Sequence, residues 1–194
     1  LEPLRIMIPR NCLLAPDFSR EPELCPGVAG GNVEISQRLT DLVLHAFGKV
    51  ACSQGTMNNL TFGNDHFSHY ETVGGGSGAC VGQAGTSAVQ VHMTNTSITD
   101  PEVLEARFPV RLLRFVWRRG SGGEGAWTGG EGIEREYLFE NSVSLSILSQ
   151  RRREGPDGLA GGRAGQPGEQ ILIRKDGSRE SVQGSQSLSL IHIS

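Results

Sequence analysis

A chain of 194 residues with 37% hydrophobic and 20% charged residues lies in the globular range, long enough for one sizeable core and too apolar for a disordered segment. A net charge of −3 and a pI near 6.0 provide no broad positive field, so nucleic acid is not an expected partner. The longest apolar runs are short or broken by arginine, and no segment reads as a membrane-spanning helix.

The chain opens on Leu1, without a methionine, and enters the run Arg5-Ile6-Met7-Ile8-Pro9. This reads as a short strand closed by proline, in a piece that begins inside a longer protein. Residues 1–29 lack periodicity and are rich in proline and acidic residues, which predicts an extended linker. From Asn32 the apolar residues Ile35, Leu39, Leu42, Val43, Ala46 and Phe47 fall at helical spacing, with Arg38, Thr40, Asp41 and His45 on the other side. The expectation is an amphipathic helix with Asn32 as N-cap, Glu34 at its positive end and Gly48 ending it in a left-handed conformation.

Beyond the helix, β-like runs at 60–62, 67–73 and 87–93 alternate with glycine. Thr99-Asp100-Pro101-Glu102 reads as a capped helix start, and Pro109 as its stop. Strands are predicted over 110–118, 133–140, 143–148 and 171–174. The 27 glycines gather at 74–85, 120–132 and 155–168, which predicts long irregular loops, with Trp117 and Trp127 packing a hairpin beside one of them. No solenoid or propeller period is present. The tail Ser187-Leu188-Ser189-Leu190-Ile191-His192-Ile193-Ser194 resembles translated adapter sequence; residues 185–194 are set apart from the fold, with 30–184 as the domain. The fold class is therefore α+β, with mixed or antiparallel strands, two helices and long glycine-rich loops. Cys12, Cys25, Cys52 and Cys80 form no C-x-x-C pair and follow no secretory signal, which predicts reduced thiols in a cytoplasmic protein.

Two polar clusters can carry chemistry. The first is Ser53-Gln54-Gly55-Thr56-Met57-Asn58-Asn59-Leu60-Thr61-Phe62-Gly63-Asn64, followed by Tyr70-Glu71-Thr72. Its amides and hydroxyls can converge on a small polar ligand or a developing oxyanion, although Asn and Gly build tight turns equally well. The second is His92-Met93-Thr94-Asn95-Thr96, where His92 can serve as acid, base or ligand, or as a structural residue. Both clusters are expected to face a common pocket. Gly74-Gly75-Gly76-Ser77-Gly78 lacks the lysine of a phosphate-binding loop. His66 and His69 beside Asp65 are poorly placed to share a metal, so none is expected here. Arg151-Arg152-Arg153 can grip a phosphate or carboxylate, or form a solvated face or interdomain salt bridges.

The ordered series from Gly30-Gly31-Asn32 through these clusters, then Gly120-Ser121-Gly122-Gly123, Gly129-Gly130-Glu131-Gly132, the three arginines and Gly158-Leu159-Ala160-Gly161-Gly162, resembles the hydantoinase B family over roughly residues 30 to 177. The resemblance implies the C-terminal part of a hydantoinase B domain in an enzyme that couples ATP hydrolysis to opening of a cyclic amide; in the oxoprolinase branch, 5-oxo-L-proline becomes L-glutamate. N-methylhydantoinase, a ketone carboxylase subunit and a non-catalytic docking domain are the alternatives. It further implies ATP and a divalent metal bound outside this segment, a hydantoinase A-type ATP-binding domain or subunit as partner, a small cyclic amide as substrate, and a homo-oligomer. Within that frame Glu71 and His92 are the expected acid–base pair, with Asn58, Asn59, Thr61, Tyr70, Thr94 and Asn95 lining the lactam site. Ser68 and His69 depart from the Gly and Tyr of relatives, and the family's glycine-rich tail is missing, so the piece alone is expected to be inactive.

Overall fold

The computed structural model describes residues 6–10, 12, 14–16, 18, 21–25, 31–182 and 186–190. The chain divides into two units, Leu1–Gly31 and Asn32–Ser194. In the first, the described residues hold a 3-10 turn, Pro22–Leu24, and an isolated bridge between Cys12 and Ala15. Ile6, Met7 and Ile8 are exposed and lie in no strand, so the strand expected over 5–9 is not formed there. No described strand pairs with them, and a lone strand leaves its backbone groups without a ladder.

After a π-helical turn, Gly31–Ser36, the second unit runs α1 (Gln37–Ala46), β1 (Asn59–Gly63), β2 (Ser68–Thr72), β3 (Gly75–Gly76), β4 (Ser87–Val89), α2 (Pro101–Arg107), β5 (Val110–Arg118), β6 (Gly132–Phe139), β7 (Val143–Leu148), β8 (Ile171–Ile173), β9 (Arg179–Ser181) and β10 (Gln186–Leu190). Every strand pairing among the described residues is antiparallel: a four-stranded sheet of order β10-β7-β1-β2, and the pairs β3-β4, β5-β6 and β8-β9. The α+β reading holds. Residues 186–190, set apart from the fold on sequence, pair with β7, and Leu188 packs against the core. Their Ser-Leu alternation is the period-2 pattern of any half-buried strand.

The core lies on one face of the four-stranded sheet. Leu60 and Phe62 of β1 point into it with Val143 and Leu145 of β7, Phe139 of β6, Val110 of β5 and the fully buried Leu104 of α2. Phe62 stands at the centre of an aromatic cluster, with ring centroids 5.0 Å from Phe139 and 6.4 Å from both Phe67 and Phe108. α2 enters this core as expected: Pro101 opens it, Asp100 caps it by accepting from the Glu102 N–H at 3.1 Å, and it ends before Pro109. Because side chains alternate along a strand, seating Leu60 and Phe62 inward turns Asn59 and Thr61 to the opposite face.

α1 differs from the expectation in which face it buries. Its Schellman ending is as read, with Gly48 at φ +64° and the Lys49 N–H bonded to the Leu44 carbonyl at 3.1 Å. Its start is not an Asn32 cap but the π turn from Gly31. The buried stripe is polar, Glu34, Gln37 (0% exposed) and Asp41 (3%), whereas Leu42 is 62% and Phe47 60% exposed. The reason is hydrogen bonding: these three side chains meet partners in other loops that the apolar stripe could not satisfy. The glycine blocks also do more than bend. A Cβ on Gly76 would lie 2.1 Å from the Gly130 carbonyl, and one on Gly155 1.7 Å from that of Gly165. Three loops thus stack backbone on backbone, bonded through Gly130 N–H to Ser77 O and Gly129 N–H to Gly123 O. Trp117 and Trp127 remain about half exposed beside them.

The buried polar face makes a direct prediction. Leu42→Asn changes the unfolding free energy of the chain by less than about 0.5 kcal/mol, where a helix packed through its apolar stripe would lose about 2–5 kcal/mol; urea unfolding distinguishes the two.

Candidate functional site

The loop from Ser53 to Asn58 runs over the polar face of α1 and is held there by hydrogen bonds that the loop donates. Ser53 N–H donates to Asp41 Oδ1 at 3.0 Å, and Thr56 Oγ1 donates to Glu34 Oε1 at 2.8 Å. Gly55, at φ +63°, makes the approach feasible, since a Cβ there would stand 2.9 Å from Asp41 Oδ2. The second cluster joins the same face: Gln37 Nε2 donates to Thr94 Oγ1 at 2.5 Å, and His92 Nε2 lies 2.7 Å from Asp41 Oδ1 and 3.2 Å from Ser53 Oγ. The two polar segments, 39 residues apart at Ser53 and His92, meet over the buried side of one helix.

An ionised carboxylate only accepts, so the His92 proton sits on Nε2, facing Asp41. In the neutral ring the lone pair is then on Nδ1, which makes no hydrogen bond among the described residues, and the side chain is 14% exposed. Burial pushes the Asp41 carboxyl up, but the bonds from His92 and Ser53 outweigh it and hold it below its ordinary value. Glu34 goes the other way: burial raises it, against the Thr56 bond and the nearby Arg152 and Arg38. Burial, then the Asp41 charge, also raises the Cys52 thiol, whose sulfur lies 3.6 Å from His45 Nδ1; this is no activated nucleophile. His92 (φ 52°), Asn58 (φ 50°) and Arg151 (φ 58°) hold left-handed backbone that β-carbon residues rarely adopt, and such strain gathers at functional sites.

The other expected residues fall into distinct places. Asn58 is spent on structure, donating to the Val73 carbonyl at 3.1 Å and accepting from Arg152 Nη2 at 3.0 Å. Asn59 accepts from Tyr70 Oη at 2.7 Å on the face of the sheet away from the core, where Thr61 stands opposite Tyr70. Burial raises the Tyr70 phenol. Thr72, on that face, bonds to Thr96 at 3.0 Å and so ties the two clusters a second time. Asn95 is exposed. Glu71 does not meet His92. It points to the core face, where Arg135 Nη1 donates to Oε1 at 2.9 Å, Tyr137 Oη donates to the same oxygen, and the Thr99 N–H reaches Oε2 at 3.4 Å. Burial and the Glu71 charge push the Tyr137 phenol strongly up, keeping it a donor.

Asp41, which the sequence reading had placed on the polar side of the helix, anchors this convergence together with Ser53 and with Gln37, which that reading had not singled out. The signal available was the i, i+3, i+7 spacing of Glu34, Gln37 and Asp41, a polar stripe as regular as the apolar one. The residues here do not fit a nucleotide or a metal. Gly75 and Gly76 are paired in β3 and the Ser77 N–H is bonded to Thr86 O, so this glycine run offers no free cradle for phosphates. His66 is exposed in a loop while His69 packs its ring 5.1 Å from Phe62, and no described group of three His, Cys, Asp or Glu side chains stands as a metal site.

A family model for hydantoinase B/oxoprolinase matches residues 1–192. The chain is 50% identical over 188 residues to 5-oxoprolinase 1 of Arabidopsis thaliana and 44% identical over 190 residues to 5-oxoprolinase of Dictyostelium discoideum, covering 97% and 98% of this chain. It spans only 14% of the length of each of these relatives. Among solved structures, the ATP-dependent caprolactamase from Pseudomonas jessenii aligns over 73% of this chain and 27% of its own, at a TM-score of 0.59 and 22% identity. Nucleotide-free acetone carboxylase aligns over 65% of this chain and 18% of its own, at 0.56 and 24%. These two likenesses are of fold.

The opposite shifts of Asp41 and Glu34 predict opposite pH signatures. Asp41, depressed in the fold, contributes stability present above its unfolded pKa and lost as pH falls through the folded value. Glu34, raised in the fold, contributes stability present below its unfolded pKa and lost as pH rises through the folded value. Urea midpoints measured from about pH 2 to about pH 8 should therefore show Asp41→Asn losing ground on the wild type as pH rises through the acid end of that range, and Glu34→Gln gaining it at higher pH.

Proposed function

The chain belongs to the hydantoinase B/oxoprolinase family, and from that premise we propose that it is part of an ATP-dependent cyclic amidohydrolase, a 5-oxoprolinase converting 5-oxo-L-proline to L-glutamate. The ATP, a divalent metal and a hydantoinase A-type ATP-binding domain or subunit belong to the remainder of the enzyme, which works as a cytoplasmic homo-oligomer. No helix among the described residues is long and apolar enough to cross a membrane. ATP supplies the activation the reaction needs, because an unstrained amide carbonyl is a poor electrophile until its oxygen carries a phosphoryl group.

The observation that carries the reading is the convergence of Ser53, Asp41 and His92. In our assignment His92 is the proton-transfer residue: Asp41 fixes its ring and tautomer through Nε2, and Nδ1 takes or returns the proton at the opening ring. Thr94, Asn95, Asn59, Thr61 and Tyr70 supply hydrogen bonds to the lactam. Asn58 acts behind them as a brace to Arg152. Glu71, expected from sequence as the second member of the acid–base pair, is assigned instead to positioning. Its Oε1 is already taken up by a buried arginine and a phenol, on the core side of the sheet and away from His92.

In the full-length polypeptide, ADP release should depend on 5-oxo-L-proline and be accompanied by L-glutamate. His92→Gln should lower this lactam-dependent rate by about 10²-fold or more when assayed well below its own unfolding midpoint; full coupling in the variant would remove His92 from the mechanism. Nucleotide turnover driven by a ketone and bicarbonate, and not by the lactam, would move the chain to the carboxylase branch. Glu71→Gln should instead cost about 3–5 kcal/mol of stability by stranding Arg135.

A further inference from the structure

After β7 the chain turns sharply at Arg151, and the three consecutive arginines come together with Arg38 of α1 around one cavity of about 510 Å³, in which Glu154 is the one lining carboxylate. Two of the four are braced by the protein. Arg152 donates to Gln170 Oε1 at 2.5 Å, to the Gln150 carbonyl at 2.8 Å and to Asn58 Oδ1 at 3.0 Å, all neutral acceptors that hold the guanidinium without cancelling its charge. Gly168 leaves it room, since a Cβ there would fall 2.0 Å from Nη1. Arg151 donates to the Gly155 carbonyl at 3.0 Å and stands 3.8 Å from the exposed Asp157, while its buried Nε has no hydrogen-bond partner. Arg38 and Arg153 make no hydrogen bond or ion pair among the described residues. Two buried carboxylates lie behind the arginines: Glu34 feels both Arg152 and Arg38, yet burial raises it, and Asp41, close to Arg38 and Arg151 around Gly55, has its Oδ1 bonded to Ser53 and His92. Burial, and then the charge of Arg118, correspondingly lowers Arg152.

Four guanidiniums around one hollow outnumber the single lining carboxylate, Glu154, so an entering anion would be attracted, and their planar forks match tetrahedral oxyanions two bonds at a time. The volume is in the range of small-ligand sites. We propose that this cavity binds a phosphate-type oxyanion, gripped by Arg38 and Arg153 and backed by Arg151 and Arg152. The choice of phosphate over a carboxylate rests on the ATP-driven reading above, in which phosphate is released with each ring opened.

The test uses the full-length enzyme without ATP or lactam, titrated calorimetrically with inorganic phosphate and separately with L-glutamate. Wild type should bind phosphate, and Arg38→Gln/Arg153→Gln should weaken that binding at least about tenfold, the weight of a charge-assisted bond or more, with an unchanged unfolding midpoint because neither side chain is paired. No phosphate binding, or phosphate binding unaffected by the two changes, would overturn the proposal. So would glutamate binding that depends on the two arginines while phosphate fails to compete. Since no turnover is read, an enzyme that binds phosphate here yet leaves 5-oxo-L-proline untouched would lose the functional reading and keep the anion site.

Discussion

The structure depends on a helix that buries its charges. Glu34, Gln37 and Asp41 lie buried, where each would cost several kcal/mol if left without partners. The Ser53–Thr56 backbone and side chains, His92 and Thr94 bond one polar atom of each, while Gln37 Oε1 and Asp41 Oδ2 stay buried without a hydrogen-bond partner among the described residues. That demand fixes the loops. Segments without regular secondary structure are held to one helix face by hydrogen bonds, those to Asp41 and Glu34 charge-assisted and each worth about 1.5–3 kcal/mol net, and His92 and Thr94, both proposed for chemistry, are among the residues that supply them.

Two other arrangements make this face available. The aromatic core around Phe62 orients β1, so Asn59 and Thr61 stand on the side opposite the core and Glu71 on the core side. The stacked glycine loops bring distant backbone segments within van der Waals reach, which only residues without a Cβ permit, and they seat residues 155–165 against the 121–130 loop. Glu71 with Arg135 and Tyr137 then clamps the edge strand β2 to β6. The chemistry is thus separated from the clamp by the thickness of a sheet. Meanwhile the apolar stripe of α1, with Leu42 and Phe47, faces outward in a chain that spans a small part of its relatives' length.

Much of the fold could be read from local pattern. The strands over 110–118 and 143–148 were bounded by turn residues and by β-branched and large apolar side chains, and they form as read. The Asp100 cap and the Gly48 ending were legible because each is a local interaction within a few residues. The orientation of α1 was not legible. Its two stripes have the same period, and which one is buried is decided by hydrogen-bond partners up to 57 residues away. β3 and β9 escaped notice because two glycines and the polar run Arg-Glu-Ser carry no strand signature. At the site, the two polar clusters expected to share a pocket do touch, Ser53 at His92 and Thr72 at Thr96, but neither the arginine-lined cavity nor the one lined by the glycine loops is bounded by these side chains. The pairing of Glu71 with His92 was not realised, because strand alternation sends Tyr70 and Glu71 to opposite faces and a buried arginine claims the carboxylate.

The central claim is that Asp41 acts only through His92, as one unit. The most direct measurement is a double-mutant cycle on lactam-dependent ADP release in the full-length enzyme, with Asp41→Asn, His92→Gln and both together. The account predicts that Asp41→Asn costs activity in the wild type and changes the His92→Gln enzyme by less than about twofold. Losses that multiply in the double variant would contradict it, because two residues acting independently could not be the single hydrogen-bonded pair on which the site is built.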